Sequence, residues 1–267
     1  MYQAPAAPAG IGGVLDDGFR LFRTCFVDCL PFLVIMAIVG IVPSLVLPSG
    51  AELAENPDLL AELIGPGLII GYLVMIVVQA FCFGGSVAAI QRRVADAQPS
   101  LAASFATALS RLPWLVVAGF LYSIALFIGF MLLVIPGLWV SLAMLFFGYC
   151  CVADKDGPVQ SLRSSLQLVK GNWWRTAALV TVATVLVLVI YVLVMFVVGL
   201  VVGVTFATGD GNPEALASLD TNPVVLGVSA LIAMPVFMLM IAMQYAVYAD
   251  LKLRRQGADL DSRIAEV

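Results

Sequence analysis

Apolar residues run through this chain in six long blocks: Leu30–Pro48, Gly65–Ile90, Pro113–Ile135, Leu138–Ala153, Thr176–Thr208 and Pro223–Ala249. A helix needs roughly 20 such residues to cross the hydrocarbon core of a bilayer. Each block therefore reads as one span. The fourth is short, which local thinning or neighbouring helices accommodate, and the fifth is long, which tilt accommodates. Residues 1–10 read as a flexible N-terminus, 11–255 as a single transmembrane domain and 256–267 as a C-terminal tail. The predicted fold is all-α and polytopic.

Helical spacing also precedes each odd-numbered span. Leu15, Phe19, Phe22, Phe26 and Leu30 form a stripe opposite Asp16, Arg20, Arg23 and Thr24. Leu101, Phe105, Ala108, Leu109 and Leu112 oppose Ser104, Thr107 and Arg111, with Ser100 placed to cap. Val159, Leu162, Leu166 and Val169 oppose Arg163, Gln167 and Lys170, between Asp156 as a start and Gly171 as a stop. These segments predict about three amphipathic helices lying on the membrane surface. Their exits into the spans are alike: Leu30-Pro31-Phe32-Leu33, Leu112-Pro113-Trp114-Leu115 and Asn172-Trp173-Trp174. The recurrence outlines a weak threefold repeat, or the physics that any such junction shares. Ile135-Pro136-Gly137-Leu138 predicts a tight hairpin between spans 3 and 4.

Charge turns this pattern into a topology. All 13 Lys and Arg residues fall in the termini or in alternate connections, and the intervening connections hold none. The net charge of -4 divides into +3 on the basic side and -7 on the other. The positive-inside rule then places both termini in the cytoplasm of a bacterial inner-membrane protein. The first 30 residues lack the basic start and short apolar core of an export signal, so the first span is expected to direct its own insertion. The overall acidity, set by the topology, says nothing about nucleic acid, and no nucleic-acid partner is expected. The basic face suits anionic lipid headgroups.

Candidate chemistry is sparse. The chain has no His, and no Asp, Glu, Lys or Arg lies near the middle of a span, where charge is costly and usually functional. Gln79 and Gln244 are the main polar side chains at depth; they line a substrate path or simply bond a neighbouring helix. Cys25, Cys29, Cys150 and Cys151, with Met234, Met238, Met240 and Met243, are soft groups in kind. No CxxC occurs, and these residues are ordinary apolar fillers. No cofactor or metal is expected. Gly67/Gly71, Gly199/Gly203 and Gly84-Gly85-Ser86 permit close packing, within the chain or in a homo-oligomer. Pro43 and Pro235 predict kinks.

The most distinctive segment is Asp156–Arg175. It sets Arg163, Lys170 and Arg175 beside Trp173 and Trp174, a pattern suited to a lipid phosphate or to plain interfacial anchoring. Arg20 and Arg23 extend the same basic face.

The runs Pro136-Gly137-Leu138-Trp139, Ala153-Asp154, Gly157-Pro158, Ser161-Leu162-Arg163-Ser164-Ser165-Leu166 and Lys170-Gly171-Asn172-Trp173-Trp174-Arg175 carry a resemblance, joined by Gly18-Phe19-Arg20-Leu21-Phe22-Arg23. They resemble bacterial six-span membrane proteins related to the membrane domain of membrane-anchored glycerophosphodiester phosphodiesterases. In that family the activity lives in a separate soluble domain with acidic and His metal ligands. This chain has no His, so no catalytic residue carries over. The expectation is a non-catalytic membrane protein acting through anionic lipids or partner proteins. The alternative is a solute or lipid transporter, or a channel, using Gln79 and Gln244.

Overall fold

The computed structural model describes residues 5, 7–46, 56, 58, 65–208 and 223–265. The acidic connections expected at Ser49–Ile64 and Gly209–Asn222 fall almost entirely outside the described residues. The helices in chain order are α1 (Ile11–Val46), α2 (Pro66–Val94), α3 (Leu101–Leu132), α4 (Val134–Ala143), α5 (Phe147–Ala153), α6 (Pro158–Val169), α7 (Trp173–Thr208) and α8 (Pro223–Ala265). Six stretches are long and apolar enough to cross a membrane. The chain is an all-α, multi-pass membrane protein. Its large exposed residues agree: Phe120, Phe127, Val192 and Phe196 stand on outward helix faces. Such surface is unfavourable in water but not against lipid tails.

Packing between the helices is built on small and thin residues, because lipid provides no hydrophobic drive for association. The main seam joins α1 to α8. Its α1 side is Val14, Gly18, Leu21, Cys25, Cys29 and Leu33, all buried at helical spacing. Gly18 lies against Met243, and no Cβ would fit between them. The face turned inward is therefore one residue away from the expected stripe. Phe19, Phe22 and Phe26 are half-buried at its edge, and Leu30 is exposed. On α2, Gly85 receives the ring of Phe32, and Gly84 faces Ala108 and Leu115 of α3. By contrast Gly67, Gly71, Gly199 and Gly203 have open space around them.

The expected surface helices meet two different outcomes. The first two are the leading turns of α1 and α3, which run unbroken through Pro31 and Pro113. Spanning helices tolerate proline because neighbours re-satisfy the freed backbone. In α3 the small residues Ser104 and Ala108 turn inward, while Leu101, Phe105 and Leu109 face out. Ser100 caps this helix, accepting from the Ala103 N–H at 3.3 Å. Only α6 is a separate element, and it is not a surface float. Ser161, Leu162, Ser165, Leu168 and Val169 are buried against the bundle. Asp156 does not cap it but accepts the Ser164 hydroxyl at 2.6 Å. Gly171, at φ +86°, does provide the left-handed turn that ends it.

The fourth span is short because it is broken. α4 and α5 are separated by Met144–Phe146. Ser165 of α6 repairs the gap: its hydroxyl donates to the Ala143 carbonyl at 3.0 Å and accepts from the Phe146 N–H at 3.1 Å. The hairpin before it turns at Leu133, not at Pro136-Gly137. Leu133 is extended, and Pro136 sits in the first turn of α4, where a missing N–H leaves no bond unmade. Gly129 and Gly137 let the two arms touch. α8 also runs on through the expected tail to Ala265. Pro43 and Pro235 are internal to α1 and α8.

Ser165→Ala is expected to leave two buried backbone groups unpaired and to destabilise the fold by about 1–3 kcal/mol. Thermal unfolding in detergent checks this, with Ser164→Ala as the milder comparison, because the Ser164 hydroxyl bonds only the half-solvated Asp156 and the exposed Gln160 side chain.

Candidate functional site

Alternating helix directions bring the basic residues to one end of the bundle, and most are consumed there by structure. Asp250 of α8 is the hub. Its carboxylate is 4% exposed. One oxygen accepts the Ala9 N–H at 2.9 Å. The other accepts from Arg175 at 3.2 Å and Arg254 at 2.9 Å. Both guanidinium groups also donate to the Ala9 carbonyl, at 2.6 and 2.8 Å. The ring closes: one carboxylate, two arginines and both backbone groups of a single residue. Ala9 belongs to the segment expected to be flexible; it is held instead. A desolvated carboxylate needs this many partners.

Two further clasps flank it. Asp154, just after α5, accepts the Tyr248 hydroxyl at 2.6 Å and pairs with Lys252. The Lys252 ammonium also lies 5.8 Å from the centre of the Tyr248 ring. Asp28 of α1 holds Arg93 of α2 through two bonds. Arg111 donates to the Lys155 carbonyl and Arg255 to the Gln167 side chain.

What remains uncommitted defines the site. A cleft of about 390 Å³ opens between α4, α6 and the start of α7. Trp139 and Trp173 wall it, and Gln167, Lys170 and Gly171 supply its polar edge. The Trp173 Nε1–H is buried with no acceptor among the described residues. Lys170 is exposed and makes no ion pair among them. The leading N–H groups of α7 have no carbonyl one turn back, as in any helix. Ammonium, indole N–H and helix start together favour an anion at this edge. A second cleft, about 350 Å³, lies across α6 between Asp154, Gln167, Lys252 and Arg255. Its charges already pair or bond internally.

The residues proposed from sequence are thus dispersed. Lys170 and Trp173 share the cleft. Trp174 packs edge-on to Trp173 but is 83% exposed. Arg175 is drawn to Asp250. Arg163 is exposed on α6 outside the cleft lining, Arg20 pairs with Asp16 on the surface, and Arg23 is exposed on α1. Gln244 accepts the Tyr149 hydroxyl at 3.1 Å, so it bonds a neighbouring helix. Gln79 lines a different cavity altogether. Asp250, Trp139 and Ser165 escaped sequence reasoning. Asp250 had a signal: a carboxylate closing an apolar span, one turn before Arg254.

Fold and rim together define a six-span membrane protein with an ion-paired basic end. A family model described as a domain of unknown function (DUF7847) matches residues 100–251, more than half of the chain. The chain belongs to that family. The match runs from the cap of α3 to the residue after Asp250, so it includes Asp250, Arg175 and the whole lining of the tryptophan-walled cleft, while Ala9 and Arg254 lie outside it. No curated protein and no solved structure matches the chain.

Asp250→Ala is expected to strand Arg175 and Arg254 beside one carbonyl and to destabilise the protein by about 3–5 kcal/mol. Arg20→Gln, at an exposed surface pair, is expected to change stability by under about 1 kcal/mol. Unfolding midpoints of the two variants in the same detergent check both.

Proposed function

We propose that this protein is a non-catalytic component of the bacterial inner membrane that holds an anionic phospholipid at its cytoplasmic, basic rim. One observation carries the reading. Lys170 and the Trp173 indole N–H, both without partners among the described residues, meet on one tryptophan-walled cleft. A lipid phosphate suits both, taking the ammonium as a point charge and the indole as a neutral donor. Trp139 and Leu166 would face the glycerol and the upper acyl chains. The cytoplasmic orientation of both termini follows from the one-sided Lys and Arg distribution. The sequence likeness to membrane domains that accompany phosphodiesterases fits a lipid-handling role. A partner protein or a second copy of the chain remains part of the proposal at the level of the sequence alone. Solute passage along a path shared by Gln79 and Gln244 loses support, since Gln244 is bonded to Tyr149 and lines no cavity with Gln79.

The test is lipid retention by the purified protein, read by native mass spectrometry after extraction from a mixed zwitterionic and anionic bilayer. The wild type is expected to keep an anionic lipid. Lys170→Glu should lose it, and Trp173→Phe, which keeps the ring but drops the N–H, should weaken it several-fold. Arg20→Gln/Arg23→Gln should behave as wild type. Equal retention of zwitterionic and anionic lipid, or an unaltered Lys170→Glu, would refute the reading.

A further inference from the structure

A cavity of about 520 Å³ lies deep among α1, α2, α7 and α8. Counting helix rise of about 1.5 Å per residue, Gln79 is roughly 21 Å from Arg93 and Tyr191 roughly 24 Å from Arg175. Gln79 and Tyr191 therefore sit at hydrocarbon depth, and the cavity extends from there toward the end opposite the basic rim, where Leu226 lies one turn into α8. No charged residue lines it. It does carry polar groups. Gln79, an exposed residue, and the half-buried Tyr191 both line it, and neither side chain has a hydrogen-bond partner among the described residues. Ser229 also lines it, but its hydroxyl donates to the Leu226 carbonyl, leaving only acceptor capacity.

At this depth water is scarce, and a donor without a partner is costly. An acyl chain cannot satisfy an amide or a phenol. A charged ligand would lose its own hydration with no counter-ion in reach. What fits is an uncharged molecule with acceptor oxygens on an otherwise apolar body. The walls narrow the class. Met36, Met195 and Met234 present three thioethers, which adapt in shape and favour contact with flat unsaturated rings. Access is lateral: α2 and α7 both line the cavity without packing on each other, so the gap between them opens to the bilayer. The volume is that of a small-molecule site between bundle helices.

We propose that this cavity binds an uncharged amphiphile with a flat, carbonyl-bearing head, of the alkyl-quinone class. Gln79 and Tyr191 donate to its carbonyl oxygens, the thioethers bracket the ring, and the tail leaves between α2 and α7. The site is independent of the anionic-lipid cleft.

Binding of decylbenzoquinone and of decylbenzene, its analogue without carbonyls, to the full chain in nanodiscs tests this. The quinone is expected to bind at least about tenfold more tightly. Gln79→Leu/Tyr191→Phe should remove about tenfold, the size of two net hydrogen bonds, and leave decylbenzene binding unchanged. Because neither side chain bonds another described residue, the double variant should keep the wild-type melting midpoint. Ala233→Phe, which fills the cavity, should exclude both ligands. Equal binding of the two probes by the wild type would reveal a mere acyl-chain slot and overturn the proposal. So would a double variant that holds the quinone at wild-type affinity. Lys170→Glu should leave quinone binding intact, so failure here and failure of the lipid cleft are separately readable.

Discussion

Asp250 is the constraint on which the basic end depends. A carboxylate taken out of water must be met by charge and by donors, and it gathers both from three parts of the chain. Arg175 brings the start of α7, Arg254 the next turn of α8 itself, and Ala9 the approach to α1. Once those are fixed, α6 has little freedom. It is bound between the α5 end and the first turn of α7, where Ser165 closes the α4–α5 break. The cleft beside Lys170 is a by-product of that geometry.

The bundle is thus held by two kinds of force at two levels. At the rim, ion pairs and hydrogen bonds cross-link helix ends. Deeper in, a few hydrogen bonds such as Tyr149 to Gln244 remain, but contact depends mainly on shape, and glycines at 18, 84 and 85 let backbones and rings approach. Where no such residues meet, the bundle stays loose. α2 and α7 do not pack on each other, and both line the cavity.

Much of the fold was legible in the chain. Six spans and their one-sided charge need only hydropathy and Lys/Arg counting, because lipid imposes those patterns on every crossing segment. Helix faces were harder. In a soluble helix the most apolar stripe turns inward; the readings at Phe19–Phe26 and Leu101–Leu109 instead laid that stripe on the membrane surface, and nothing in it told which face packs against neighbouring helices. In lipid the rule fails, because a membrane-facing surface is equally apolar and the packed face is selected for smallness. Gly18, Cys25 and Ala108 are inconspicuous on a hydropathy scale for that reason. The site was partly legible. Lys170 and Trp173 stood out as a cation beside an aromatic at a helix junction, but nothing local showed that Arg175 was committed elsewhere. Its partner lies 75 residues away in the chain. Trp139 joins the cleft only through tertiary folding.

The claim that most directly separates this account from a simple array of interfacial arginines is the coupling of Arg175 to Asp250. A double-mutant cycle of Arg175→Gln and Asp250→Asn, read by reversible unfolding in detergent, measures it. A coupling of about 1–3 kcal/mol is predicted for groups sharing one network. Effects that simply add, to within about 0.5 kcal/mol, would mean that the guanidinium is free to meet lipid and that the rim is organised in some other way.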